Sequence, residues 1–162
     1  MSSESELFLR AQALVAAGKY GDVIAMRRTL KPKENAAHAD LLSWAYVMKG
    51  KALKFHALTK KGATAERLFK NAYEKHAAAL KIKPDYHDAL RYWGDALSDQ
   101  AHYFKTGAAA DRLFNQAGEK YAAALKIKPD MHVALVQGTT HPRLRPFFMA
   151  AIIRPMPSAN YG

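Results

Sequence analysis

The sequence predicts an all-α fold, a stack of antiparallel helical hairpins, and three observations carry that prediction. The segment Lys60–Asp85 returns 45 residues later as Lys105–Asp130, with 19 of 26 positions identical. A self-similar period of roughly 20–50 residues marks a stacked repeat. Apolar residues recur at three- and four-residue spacing, and no alternating strand pattern precedes residue 140. Gly62 and Gly107, then Pro84 and Pro129, punctuate the two copies at matching places. Units of such an array bury their apolar faces against their neighbours and present an extended surface, so recognition is the expected class of function.

Taken in order, Leu7, Ala11, Leu14 and Val15 recur at helical spacing, Gly18 to Gly21 interrupts them, and Val23, Ile24 and Leu30 resume before Pro32. This predicts a first hairpin over about 5–31. A long helix follows from about His38 to Thr59, with Leu41, Trp44, Ala45, Met48, Ala52 and Phe55 on one side of the wheel and Lys49, Lys51, Lys54, Lys60 and Lys61 off it. Gly62 is placed to end this helix in a left-handed conformation. The next helix, about Ala63 to Ile82, offers Leu68, Phe69, Ala72, Ala79 and Leu80 to the core and stops at Pro84, which lacks the backbone donor. These two helices make a hairpin over 38–84. Asp85 is placed to cap a helix over about Tyr86 to Phe104. With Gly107 and a helix over about Ala108 to Ile127, this completes a hairpin over 86–129. A partial helix over 131–138 closes a helical domain of residues 1–138, and an irregular, proline-containing tail occupies 139–162.

The net charge of +11 is uneven: residues 41–85 carry ten basic and three acidic side chains, +7, whereas residues 86–130 carry six of each. The fold does not impose that difference. It suits either an acidic partner or a solvated lysine face. The chain has no cysteine, which excludes disulfides and cysteine-bound metal and fits a reducing compartment. Its first residues, MSSESELF, are acidic where a secretory leader would be basic and then apolar, and no apolar run reaches the ~20 residues that cross a bilayer. These features give the expectation of an intracellular, cytoplasmic protein without a membrane span, with an organellar matrix left open.

The hairpins resemble the tetratricopeptide repeat, whose motif reads W-x2-L-G-x2-Y on a first helix, then A-x3-F and a proline on a second. The second long unit supplies Leu90, Trp93, Gly94 and Leu97, then Ala117, Tyr121 and Pro129. The first supplies Leu41, Trp44, Ala45 and Met48, then Ala72, His76 and Pro84. The resemblance covers about residues 5–138 and implies a right-handed superhelix. Both long units exceed the family's period of about 34 residues, so both helices of each hairpin are extended. In this they are similar to the long hairpins of plant mitochondrial import receptors, a likeness of architecture. A third unit begins with His132 and Leu135 and then breaks off, with Gly138 where the tryptophan belongs and Pro142 beyond it.

In that family, ligands lie in the groove lined by first helices. The resemblance therefore implies contacts from Phe8 and Gln12, from Leu42 and Tyr46, and from Arg91 and Asp95, with Lys49 nearby. Of the basic and asparagine residues with which one subclass clamps a peptide's carboxylates, only Arg91 is matched, and Asp95 would repel a carboxylate.

Catalysis finds little footing. His38, His87 and His132 recur at one place in successive units, which duplication explains, and no H-E-x-x-H spacing occurs among the seven histidines. His76 stands at an aromatic core position. There is no glycine-rich phosphate loop and no nucleophile motif. Asp95 and Asp99, four apart on a helix, read most simply as a face paired with nearby bases. No metal and no cofactor is expected. The tail carries the apolar run Phe147 to Ile153, a candidate interaction segment whose Phe147 and Phe148 would contact a partner or cover the open end of the stack. The reading is a non-catalytic protein-interaction module: a scaffold, assembly factor or subunit of a larger complex. Its partner would be a protein or peptide, an acidic one included, with self-association or complex assembly through the tail. The alternative is a basic helical repeat that binds RNA or another polyanion, for which weak, sequence-blind binding is the most to expect.

Overall fold

A computed structural model of the chain describes residues 3–131. Among them are seven helices and no strand: α1 Ser3–Ala16, α2 Tyr20–Ala25, α3 Arg27–Leu30, α4 Ala36–Leu58, α5 Gly62–Ile82, α6 His87–Phe104 and α7 Gly107–Ile127, followed by a 3-10 turn at Pro129–Met131. The fold is all-α. The expected partial helix over 131–138 and the tail with Phe147 and Phe148 lie outside the described residues.

Local chemistry sets most of the boundaries. After α1, the Lys19 N–H donates to the Leu14 carbonyl and the Gly18 N–H to that of Val15, the paired bonds of a Schellman ending. Asn35 caps α4, its Oδ1 accepting from the N–H groups of Ala37 and His38 at 3.0 and 3.3 Å. Two sequence expectations are corrected here. Gly62 does not end the long helix. That helix stops at Leu58, where the Thr59 hydroxyl donates to the His56 carbonyl, and Gly62 opens α5 with a φ of +55°. Gly107 repeats this at +54°. Glycine is suited to both sites because a Cβ penalises φ in that region. Asp85 caps nothing: α6 begins two residues later, and its N-cap, Tyr86, makes no side-chain capping bond.

The helices pair as antiparallel hairpins, α4 chiefly on α5 and α6 chiefly on α7, while α5 also meets α6, and α4 also meets α1, α2 and α6. The core is a series of patches along the array, not one centre. Ala11, Val23, Leu30, Leu42 and Ala45 form the first. Tyr46, Val47, Ala79 and Ala89 form a second, and Ala57, Leu68 and Phe69 a third. Leu97, Ala101, Ala110, Phe114, Ala117, Tyr121, Leu125 and Met131 form the last. Fully burying a side chain such as Phe69 contributes about 1.5–3 kcal/mol.

In α5 the periodicity found most of the buried face: Leu68, Phe69, Ala72 and Ala79 are buried, and Leu80 is partly buried. In α4 it did not. The buried residues are His38, Leu42, Ser43, Ala45, Tyr46, Val47, Gly50 and Ala57, whereas Trp44, Ala52 and Phe55 of the expected stripe are exposed. The reason is α4's position. It touches α1, α2, α5 and α6 and so buries side chains on several sides, and a helix of that kind has no single apolar stripe to read.

One packing device recurs. Gly94 of α6 faces the Tyr121 ring of α7, and a Cβ there would stand 2.7 Å from Tyr121 Cε1. In the first long hairpin Gly50 faces His76, with a built Cβ 2.7 Å from its Cε1. His76 and Tyr121 occupy equivalent positions in the repeat, so each ring lies across a glycine of its partner helix.

Candidate functional site

The histidine at the head of α4 is structural. The His38 ring is buried, lies 5.1 Å from Phe8 and donates from Nδ1 to the Leu30 carbonyl, which can only accept. It ties the first hairpin to the second. Among the described residues no group of three or more histidines and carboxylates is placed to hold a metal ion.

The candidate recognition surface lies along the seam between α4 and α6, the first helices of the two long hairpins. Two cations approach the Tyr92 ring of α6: the Arg91 guanidinium 3.9 Å from its centroid and Lys51 Nζ of α4 at 5.0 Å. Arg91 also reaches Asp88 at 3.5 Å and Asp95 at 4.0 Å. Lys54 of α4 pairs with Asp99 of α6 at 2.7 Å, with the lysine side chain only 12% exposed. Burial raises the Asp95 carboxyl above the usual carboxylate range, against the pull of the Tyr121 hydroxyl, Arg91 and Lys54. The Tyr121 hydroxyl donates to Asp95 Oδ1 at 2.7 Å, and burial first, then the neighbouring carboxylate, pushes that phenol well up. It therefore stays a proton donor throughout the ordinary pH range.

The expected contact residues fall unevenly. Arg91 and Asp95 come together, one turn apart on α6. Lys49 is partly buried on α4, its Nζ 3.9 Å from where a Cβ at Gly21 would stand. Gln12 is exposed on α1. Tyr46 is 5% exposed and packs with Val47, Ala79 and Ala89, so its ring is core and offers no open surface to a ligand. Leu42 is likewise fully buried. Phe8 packs on His38. Asp95 is committed to Tyr121 and Arg91 and is not a free carboxylate.

Sequence reasoning missed the Lys54–Asp99 pair, the contacts of Lys51 and Arg91 with the Tyr92 ring and the Tyr121–Asp95 bond, although the (i, i+4) spacing of Asp95 and Asp99 pointed to a paired face. Tyr121→Phe tests the last of these. It leaves a buried carboxylate short of one donor and is expected to lower stability by about 1–3 kcal/mol. The readout is a lower urea midpoint at an unchanged slope.

Among the described residues the site is a helical-hairpin surface of paired charges and cation–ring contacts. The family model of the plant-specific mitochondrial import receptor subunit TOM20 matches residues 29–145, more than half of the chain, and the chain belongs to that family. No curated protein and no solved structure matches it. The match corrects the expected localisation: a cytoplasmic placement gives way to a family of mitochondrial import receptors. Among the described residues no helix is long and apolar enough to cross a membrane.

Proposed function

We propose that the chain is a non-catalytic receptor subunit of mitochondrial protein import, and that it binds segments of the proteins being imported along the surface of α1, α4 and α6, from Gln12 past Lys49 to the α4–α6 seam. The family match over residues 29–145 carries this reading. The hairpins serve as elongated tetratricopeptide-like units, a reading supported by the ring-over-glycine contacts at Gly50–His76 and Gly94–Tyr121. Gln12, Lys49 and Arg91 are the proposed contacts. Asp95 holds Arg91 in place, and Tyr46 supports the seam from below. The polyanion alternative draws on the +7 charge of residues 41–85, but Lys54, Lys83 and Lys51 are already engaged by Asp99, Asp40 and the Tyr92 ring.

The test is site-specific photo-crosslinking with a panel of mitochondrial and non-mitochondrial proteins synthesised in vitro. Probes at Gln12 and Lys49 are expected to capture the mitochondrial members selectively, and a probe at Lys70, exposed on α5, to capture neither. Equal capture of both panels, or capture at Lys70 alone, would refute the proposal.

A further inference from the structure

A second surface lies at the hairpin tips. A cleft of about 490 Å³ opens between the α4–α5 turn and the end of α6, lined by Leu58, Lys60, Lys61, Gly62, Tyr103 and Phe104. Its apolar floor is preformed. Phe104 meets Phe69 edge to face at 5.4 Å, and Leu58 and Phe104 both pack on the buried cluster of Ala57, Leu68 and Phe69. The wall carries an exposed aromatic ring, Tyr103, 64% exposed.

The charge around this cleft is one-signed. Lys60 and Lys61 are exposed, and neither forms an ion pair among the described residues. The nearby acids are taken: Glu66 by Lys105 and Asp99 by Lys54. The rim is therefore cationic, with no counter-ion among the described residues, above an apolar floor. That combination fits a peptide carrying carboxylates beside an aliphatic or aromatic side chain, the side chain entering the cleft and the carboxylates meeting the lysines. The cleft's volume of about 490 Å³ has room for an inserted side chain, which a flat lipid surface would not supply.

We infer that the hairpin-tip cleft docks an acidic, apolar segment of a partner protein. The site is separate from the proposed cargo seam: Arg91 lies near the start of α6 and Tyr103 at its end, roughly 18 Å apart at about 1.5 Å per residue. It stands whether or not the seam binds cargo.

The test is an NMR titration of the isotope-labelled full chain with a short synthetic peptide of Asp, Glu, Leu and Phe. Shifts are expected at Leu58, Lys60, Lys61 and Tyr103, with affinity falling as salt rises. Reversing both rim charges, Lys60→Glu with Lys61→Glu, should weaken binding about tenfold or more, because rim charges act together. Tyr103→Ala should weaken it about fivefold, since exposed aromatic anchors carry much of an interface. All three positions are at the surface, and circular dichroism checks that each variant is folded. Equal binding of a peptide with Lys in place of every acid, unchanged affinity in the variants, or shifts confined to the α4–α6 seam would overturn the inference. So would flotation with phosphatidylserine vesicles that depends on Lys60 and Lys61 while the acidic peptide fails to bind.

Discussion

Gly94→Leu is expected to lower stability by about 3 kcal/mol, the upper part of the usual range for overpacking a filled core. At this chain length that is roughly a 10 °C fall in the thermal midpoint. The cause is a ring, not a flexible chain end. A Cβ alone would stand 2.7 Å from Tyr121 Cε1 and 2.9 Å from Cδ1 and Cζ, so either the tyrosine or the α6–α7 spacing must give way. Tyr121 cannot swing aside freely, because its hydroxyl is held by Asp95. The diagnostic is a double-mutant cycle. On a Tyr121→Ala background, Gly94→Leu should cost far less, because the space it needs has been vacated. Strict additivity would show that the two residues do not oppose each other as described.

An acid-linked loss of stability should distinguish the first long hairpin from the second. His76 is fully buried with both ring nitrogens unbonded. Burial first, then the charge on Lys54, lowers its pKa from the ordinary 6.5 to about 4. The folded state thus prefers the neutral ring. Above pH 6.5 both states are neutral and the fold keeps its full stability. Below that the unfolded chain takes up the proton first, and stability falls until the folded ring also titrates near pH 4. At about 1.4 kcal/mol per pH unit the loss reaches about 3 kcal/mol. The carboxyl of Asp95, raised in the folded state, acts in the opposite sense on acidification, so the measurement is a difference. Urea unfolding from pH 7 to pH 4 is expected to destabilise the native chain by about 3 kcal/mol more than His76→Phe. Parallel pH profiles for the two proteins would show that the ring is solvated or paired.

What the residues disclosed in advance follows from how many neighbours each helix has. α5 shows its apolar face plainly, and Leu68, Phe69, Ala72 and Ala79 were legible in its spacing. α4 hides its face because it is covered on several sides, which is how exposed Trp44 and Phe55 came to look like core and buried Tyr46 like a ligand contact. The motif alignment paired Ala45 with Gly94, but the glycine beneath His76 is Gly50, five residues further along a longer helix. No spacing rule reveals that shift, which depends on where two long helices cross. The same holds for Tyr121 and Asp95, 26 residues apart, and for Lys54 and Asp99 on different hairpins. Residue type showed that such groups needed partners, and only the packing shows which. The family resemblance put the ligand in the groove of first helices, yet the cleft at the turn between α4 and α5 has no counterpart in the motif.

The way the two long hairpins are joined bears on how the chain opens. Within each hairpin the contact is extensive and mostly apolar. Between the two hairpins it is thinner and mixed, with the Tyr73 hydroxyl of α5 bonded to Gln100 at 2.6 Å and ion pairs of Lys54 with Asp99 and Lys105 with Glu66 beside ring contacts. Such an array behaves as a short chain of linked cooperative units and not as one block. Amide protons in α6 and α7 should then exchange with deuterium as a set, through openings that leave α4 and α5 protected. Because ion pairs form part of that junction, added salt should lower the free energy of parting the hairpins, and a bound protein spanning both first helices would close them into a single exchanging unit.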